Sequence, residues 1–363
     1  MKNKLPVVLI ELFNLLGVED KKRSLKLMVL LAVMGVIEMM GIASILPFLA
    51  VVGNPDVISE SIPLKNSYVF FGKYFENMDS ILFLIILGVF SFLFILITSF
   101  FRIYSLYAMN RYIEMTRHNL SARLLANYLG QPYDFFLDRH TSELTKNMMS
   151  EVDFVIINVF RPAIIMISYL FVLVSILVLI MWYDPMIATI SITSLGLLYI
   201  GVYLFSRSRI LKYGDLFVES NKKRFKSASD ALGGIKNIKM YNCENIYLEK
   251  FKIFSLNFVQ SAYRFQILNQ APKHLLEVLA FGGIVLLTIF ILFSLPEGAT
   301  GLGKVLPILG LYAFSAYRVQ PALTAVFQGA SSLTYGRTAI RNLTKEINIK
   351  EKKNSPINSK NNR

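Results

Sequence analysis

Apolar runs of membrane-spanning length recur six times in this sequence, at residues 27–52, 81–101, 163–181, 186–205, 278–295 and 305–327. A hydrocarbon core about 30 Å thick takes roughly 20 mostly apolar residues to cross as a helix. Lipid offers backbone amides no water, so each run must satisfy its own hydrogen bonds by becoming helical. The pattern predicts an all-α membrane protein with six transmembrane helices. A hydrophobic fraction of 54% and a mean hydropathy of +0.51 agree with lipid as the main solvent.

The net charge of +14 raises the question of nucleic acid, but the placement of the basic residues answers it differently. Lysine and arginine crowd the segment before the first run, the loops between runs two and three and between four and five, and the stretch after run six. The alternate loops hold only Lys65, Lys73 and Lys304. Arg102, Arg207, Arg209 and Lys273 stand close to run ends, where the positive-inside rule is strictest. Both termini and both long loops are therefore expected on the cytoplasmic side of a bacterial inner membrane, with no nucleic-acid partner. No secretory signal is visible, and residues 5–17 read as a short helix along the membrane surface. The single Cys243 and the scattered His118, His140 and His274 offer no zinc spacing and no intrachain disulfide.

The long loops carry a helical rhythm of their own. Residues 102–129 contain neither Pro nor Gly and keep apolar positions at helical spacing until Gly130-Gln131-Pro132. Run two is thus expected to continue as helix, on the order of 40 Å beyond the membrane at 1.5 Å per residue. The second long loop reads as helix over 207–232 and 243–272, with Gly233-Gly234 marking a turn.

Two stretches in these loops carry a resemblance. The segment from Pro132 through Tyr133, Asp134, Phe135 and Arg139 to Met148, followed by Glu151-Val152-Asp153, resembles the first coupling region of type I ABC exporter transmembrane domains. The stretch from Gly233 through Met240, Tyr241 and Glu244 to Phe251 resembles the second. With six runs at family spacing, the likeness covers 24–347, leaving 1–23 as a cytoplasmic N-terminal segment and 348–363 as a disordered polar tail. Within that family, Ile37 to Phe48, Leu311 to Pro321 and Ser142-Glu143 resemble lipid-linked oligosaccharide flippases of the PglK type. The resemblance implies a homodimer, driven by nucleotide-binding ATPase domains that touch the coupling residues.

The motifs of that ATPase are missing from these 363 residues. Gly298 to Lys304 follows P-loop spacing, but Val305 replaces the Ser or Thr that would hold magnesium, and no strand precedes it. The expectation is that ATP and magnesium sit on a separate nucleotide-binding subunit and that this chain holds no cofactor of its own; a truncated remnant or scaffold, and half of a peptide or drug exporter, are the alternatives.

Charges inside spanning segments usually face a cavity or a partner. Glu38 and Arg318 lie equally far from the outer ends of runs one and six, roughly 21 Å by helical rise. Two roles are open to Arg318: pairing with Glu38, or meeting an anionic head group together with Arg161 and Lys273, since guanidinium suits phosphate oxygens. Between runs one and two, Tyr68, Phe71 and Phe75 recur at helical spacing and predict an amphipathic helix in the outer interface. The resemblance makes these residues a contact for a lipid tail; a connector that shields apolar surface is the alternative.

Overall fold

Helix is the only regular structure among the described residues of the computed structural model, which are 5–53, 55, 58, 62–72, 79–137, 139, 141–183, 185–294 and 302–348. The chain opens with α1 (Leu5–Leu15), α2 (Val18–Gly53), the short α3 (Ile62–Gly72) and α4 (Ser80–Leu129). A five-residue helix, α5 (Tyr133–Leu137), turns the chain into α6 (Thr141–Lys146), α7 (Val152–Val155) and α8 (Arg161–Tyr183), joined end to end through π turns at Asn147–Glu151 and Ile156–Phe160. Then come α9 (Pro185–Gly233), α10 (Ile235–Tyr241), α11 (Glu244–Ser294), α12 (Leu302–Tyr335) and α13 (Arg337–Ile347).

Three of these stretches, Val18–Val52, Ser80–Leu129 and Glu143–Leu179, are long and apolar enough to cross a membrane. The other three apolar runs fall on α9, α11 and α12, many of whose side chains lie outside the described set. The expected extensions are present. The 50 residues of α4 run without a break through Arg102 to Leu129, about 75 Å of helix. They stop where Gly130 caps the end, before Pro132.

The helix α11 extends further than its sequence suggests, running for 51 residues with Pro272 inside it. Proline removes one backbone hydrogen bond there, a loss that neighbouring helices can absorb in membrane bundles.

Packing ties α2 to α4 and α8, α8 to α12, and α9 to α11. Small residues let the helices approach closely, as membrane packing demands where the hydrophobic effect is weak. A Cβ at Gly35 would stand 2.9 Å from the Phe171 carbonyl carbon on α8, and one at Gly214 would collide with the Tyr335 carbonyl on α12. Beyond the apolar runs, aromatic rings weld four helices. Phe154 of α7 stacks on Phe217 of α9 at 4.7 Å, Phe217 meets Phe258 of α11 at 4.4 Å, and Phe265 of α11 stacks on Tyr335 at 3.8 Å. The N-terminal helix buries Val8, Leu12 and Leu15 and contacts α12 and α13, while Ile10 and Phe13 stay exposed.

Candidate functional site: a charged cavity and two corners

Five helices, α2, α4, α8, α11 and α12, enclose a cavity of about 560 Å³. Glu38 reaches it from α2, where its side chain is 4% exposed, and Arg102 from α4, where its side chain is 43% exposed. The Arg102 Nε donates to Glu38 Oε1 at 2.7 Å, and its Nη2 donates to the same oxygen. A buried carboxylate is tolerable only when paired, so Arg102 explains why Glu38 can sit inside a spanning helix. The other oxygen, Glu38 Oε2, is buried without a hydrogen-bond partner among the described residues, as is Thr324 Oγ1 in the same wall. Both atoms are left open to a partner that the described residues do not supply.

Two further charges enter from α11. Lys273 Nζ lies 3.9 Å from Glu277 Oε1, and the lysine side chain is half exposed. His274 Nδ1 lies 3.2 Å from the other Glu277 oxygen. On α12, Gln320, Thr324 and Gln328 follow one another every fourth residue and line the wall. That spacing places them on one helix face.

Of the sequence-predicted pathway residues, the cavity unites Glu38 and Lys273. Arg161 is elsewhere: its Nη2 donates to Glu114 at 2.6 Å, and Glu114 also binds Arg117, which reaches Asp153 at 2.7 Å. This chain of ion pairs fastens α4 to α7 and α8. The Arg318 side chain lies outside the described residues; the partner observed for Glu38 is Arg102. Sequence reasoning missed Arg102 because it stood at a run end and was counted as an orienting charge. The sequence signal for this cavity is the stripe of Gln320, Thr324 and Gln328, polar at every fourth position.

The two expected coupling stretches form sharp corners. At the first, Tyr133 and Asp134 on α5 are exposed, whereas Phe135 packs on Tyr128 with ring centres 6.2 Å apart. Arg139 lies over the Phe135 ring at 4.7 Å and binds Glu346 of α13 at 2.9 Å. At the second, α10 buries Ile238 and leaves Met240 and Tyr241 exposed. Asn242 turns the chain in a left-handed conformation, φ 50°, and Glu244 starts α11 within 2.9 Å of Lys239 Nζ. The hydrogen bond from Lys239 holds the Glu244 carboxyl below its ordinary pKa.

On α3, Tyr68 meets Phe83 edge to face at 5.2 Å, and Phe71 lies against Phe70. Phe75 lies outside the described residues, as do the P-loop-like stretch up to Gly301 and the tail from 349.

Long apolar helices, close glycine contacts and a polar cavity within the bundle define an integral membrane protein of the transporter class. Residues 25–316 match the ABC transporter transmembrane region. The chain belongs to that family, as a membrane-embedded transporter subunit with an exporter-type transmembrane domain.

Proposed function

We propose that this chain is the six-span membrane subunit of an ATP-driven exporter or flippase that moves an amphipathic anionic cargo, a lipid-linked glycan of the kind carried by PglK-type proteins. It sits in a bacterial inner membrane with both termini cytoplasmic, spans the bilayer through the domain 24–347, and works as a homodimer with nucleotide-binding ATPase domains that hold ATP and magnesium. Tyr133, Asp134, Phe135, Arg139, Met240, Tyr241 and Glu244 meet those domains. Tyr68, Phe71 and Phe75 meet the lipid tail at the outer face, and Arg318 joins the cation path.

The observation that carries this reading is the exposure asymmetry of the Glu38–Arg102 pair. Glu38 is covered and uses one oxygen to aim the guanidinium, while Arg102 extends into the cavity with N–H donors to spare. Bidentate guanidinium contacts suit phosphate and pyrophosphate oxygens. Lys273, only loosely held by Glu277, supplies a second cation, and the amides and hydroxyl of Gln320, Thr324 and Gln328 suit sugar hydroxyls. ATP-driven closure of the partner domains would press on the exposed corners, and the long helices would transmit that movement to the cavity.

The test is association and stimulation. Purified with its ATPase partner, the protein should hydrolyse ATP faster when a lipid-linked glycan is added, and Arg102→Ala should remove the stimulation. Failure to bind any nucleotide-binding ATPase would refute the reading, and stimulation by uncharged lipid alone would refute the anionic cargo.

A further inference from the structure

A second groove, sharing no residue with the first cavity, lies between α2 and α4 and encloses about 680 Å³. Its height in the membrane follows from the helices that make it. The apolar run of α2 begins at residue 27 and that of α4 ends at 101, so the groove straddles the level where both meet the interface. Arg23 and Lys26 stand on one side and Arg111 on the other, with Tyr104 and Tyr107 exposed between them. Below these, buried Leu27 and half-buried Leu30 continue the wall into the apolar region.

The charges are not consumed internally. Lys26 and Arg111 have no ion-pair partner among the described residues, and Arg23 makes only an exposed contact with Glu19 at 3.4 Å, worth little in water. One carboxylate, Asp20, lines the groove, but it is buried and accepts from Asn119 at 2.8 Å. Three cations therefore face one engaged anion. A cationic mouth beside tyrosines, over an apolar wall, is complementary to an amphipathic anion of the bilayer itself. We propose that this groove binds the phosphate head group of an anionic membrane phospholipid, with an acyl chain lying along Leu27 and Leu30. The charge excess explains selectivity, because each basic residue near the surface adds attraction for anionic lipid that a zwitterion does not feel.

The experiment uses the intact protein, delipidated in neutral detergent, with retained lipid read by native mass spectrometry. Phosphatidylglycerol should be retained well above phosphatidylcholine, and Lys26→Ala combined with Arg111→Ala should weaken retention by roughly thirty-fold. The exposed Lys250 on α11 provides the control variant, Lys250→Ala, which should bind as the parent does. Should the double variant fold poorly, Arg111→Lys keeps the charge and should keep the lipid. Equal retention of the two lipids, or undiminished retention in the charge-removing variant, overturns the proposal. Competition by inorganic phosphate at the concentrations where the lipid binds would reassign the groove to a soluble anion and likewise overturn it.

Discussion

Arg139 and Glu346 are 207 residues apart in sequence and 2.9 Å apart in space. The pair joins the first corner to the end of α13, and Tyr128 reinforces it by donating to the same carboxylate at 3.1 Å. A tie between the corner and the last helix offers a push on α5 a route to α13. Glu346→Gln should weaken the ion pair while preserving shape, lowering stability by about 0.5–1 kcal/mol. Its larger effect should be on coupling: ATP hydrolysis continues while transport per ATP falls, read by measuring both in one vesicle preparation.

The Glu38–Arg102 pair, covered on its carboxylate side, makes a sharper prediction for stability. Arg102→Ala strands the Glu38 carboxylate and should cost about 2–3 kcal/mol, seen as a lower midpoint of thermal unfolding in detergent. Glu38→Gln alone should cost less, because a neutral amide tolerates the site. Adding Glu38→Gln to Arg102→Ala should restore most of the lost midpoint without restoring transport, which separates folding from cargo handling.

Gly214 should tolerate no side chain. A methyl group there meets the Tyr335 carbonyl, a backbone atom that cannot swing away. Gly214→Ala should force α9 off α12 and destabilise by about 1–3 kcal/mol. Size-exclusion profiles and unfolding midpoints check it, and Gly196→Ala, which meets nothing within 4 Å among the described residues, is the neutral comparison.

Glu244 supplies a pH dependence. Its carboxyl is held below the ordinary value by the hydrogen bond from Lys239. A depressed carboxyl pKa contributes stability that is present above the unfolded value, about 4.3, and is lost as pH falls through the folded value. Hydrogen exchange at the α10–α11 corner should be flat from pH 7 down to about 5 once corrected for intrinsic rates, and should rise below about 4. Lys239→Met should shrink that rise, because a folded carboxyl closer to its unfolded value leaves less stability to lose as pH falls.

Much of this architecture can be read from local chemistry. Gly130-Gln131-Pro132 does end α4, and Gly233 does end α9, because a glycine before a proline or another glycine leaves helix little to gain. The passage of α11 through Pro272 escapes such reading, since packing against neighbours outweighs one missing hydrogen bond. The cavity is half legible. Depth along a helix follows from counting residues, and counting puts Glu38 level with Arg318; that Arg102 reaches Glu38 depends on the face each helix turns inward. That rotation is fixed by contacts such as Gly35 against Phe171, far from the charges themselves. The Arg139–Glu346 tie is invisible to any local pattern.

The most direct test of the account is ATP-driven movement of a lipid-linked glycan through the Arg102 cavity. Vesicles holding this protein and its ATPase partner, loaded with a fluorescent lipid-linked glycan, should protect or expose the glycan to an external quencher only when ATP is supplied. Arg102→Ala should abolish the change while the complex stays assembled. Transfer at the same rate without ATP, or undiminished transfer in the Arg102→Ala variant, would contradict it.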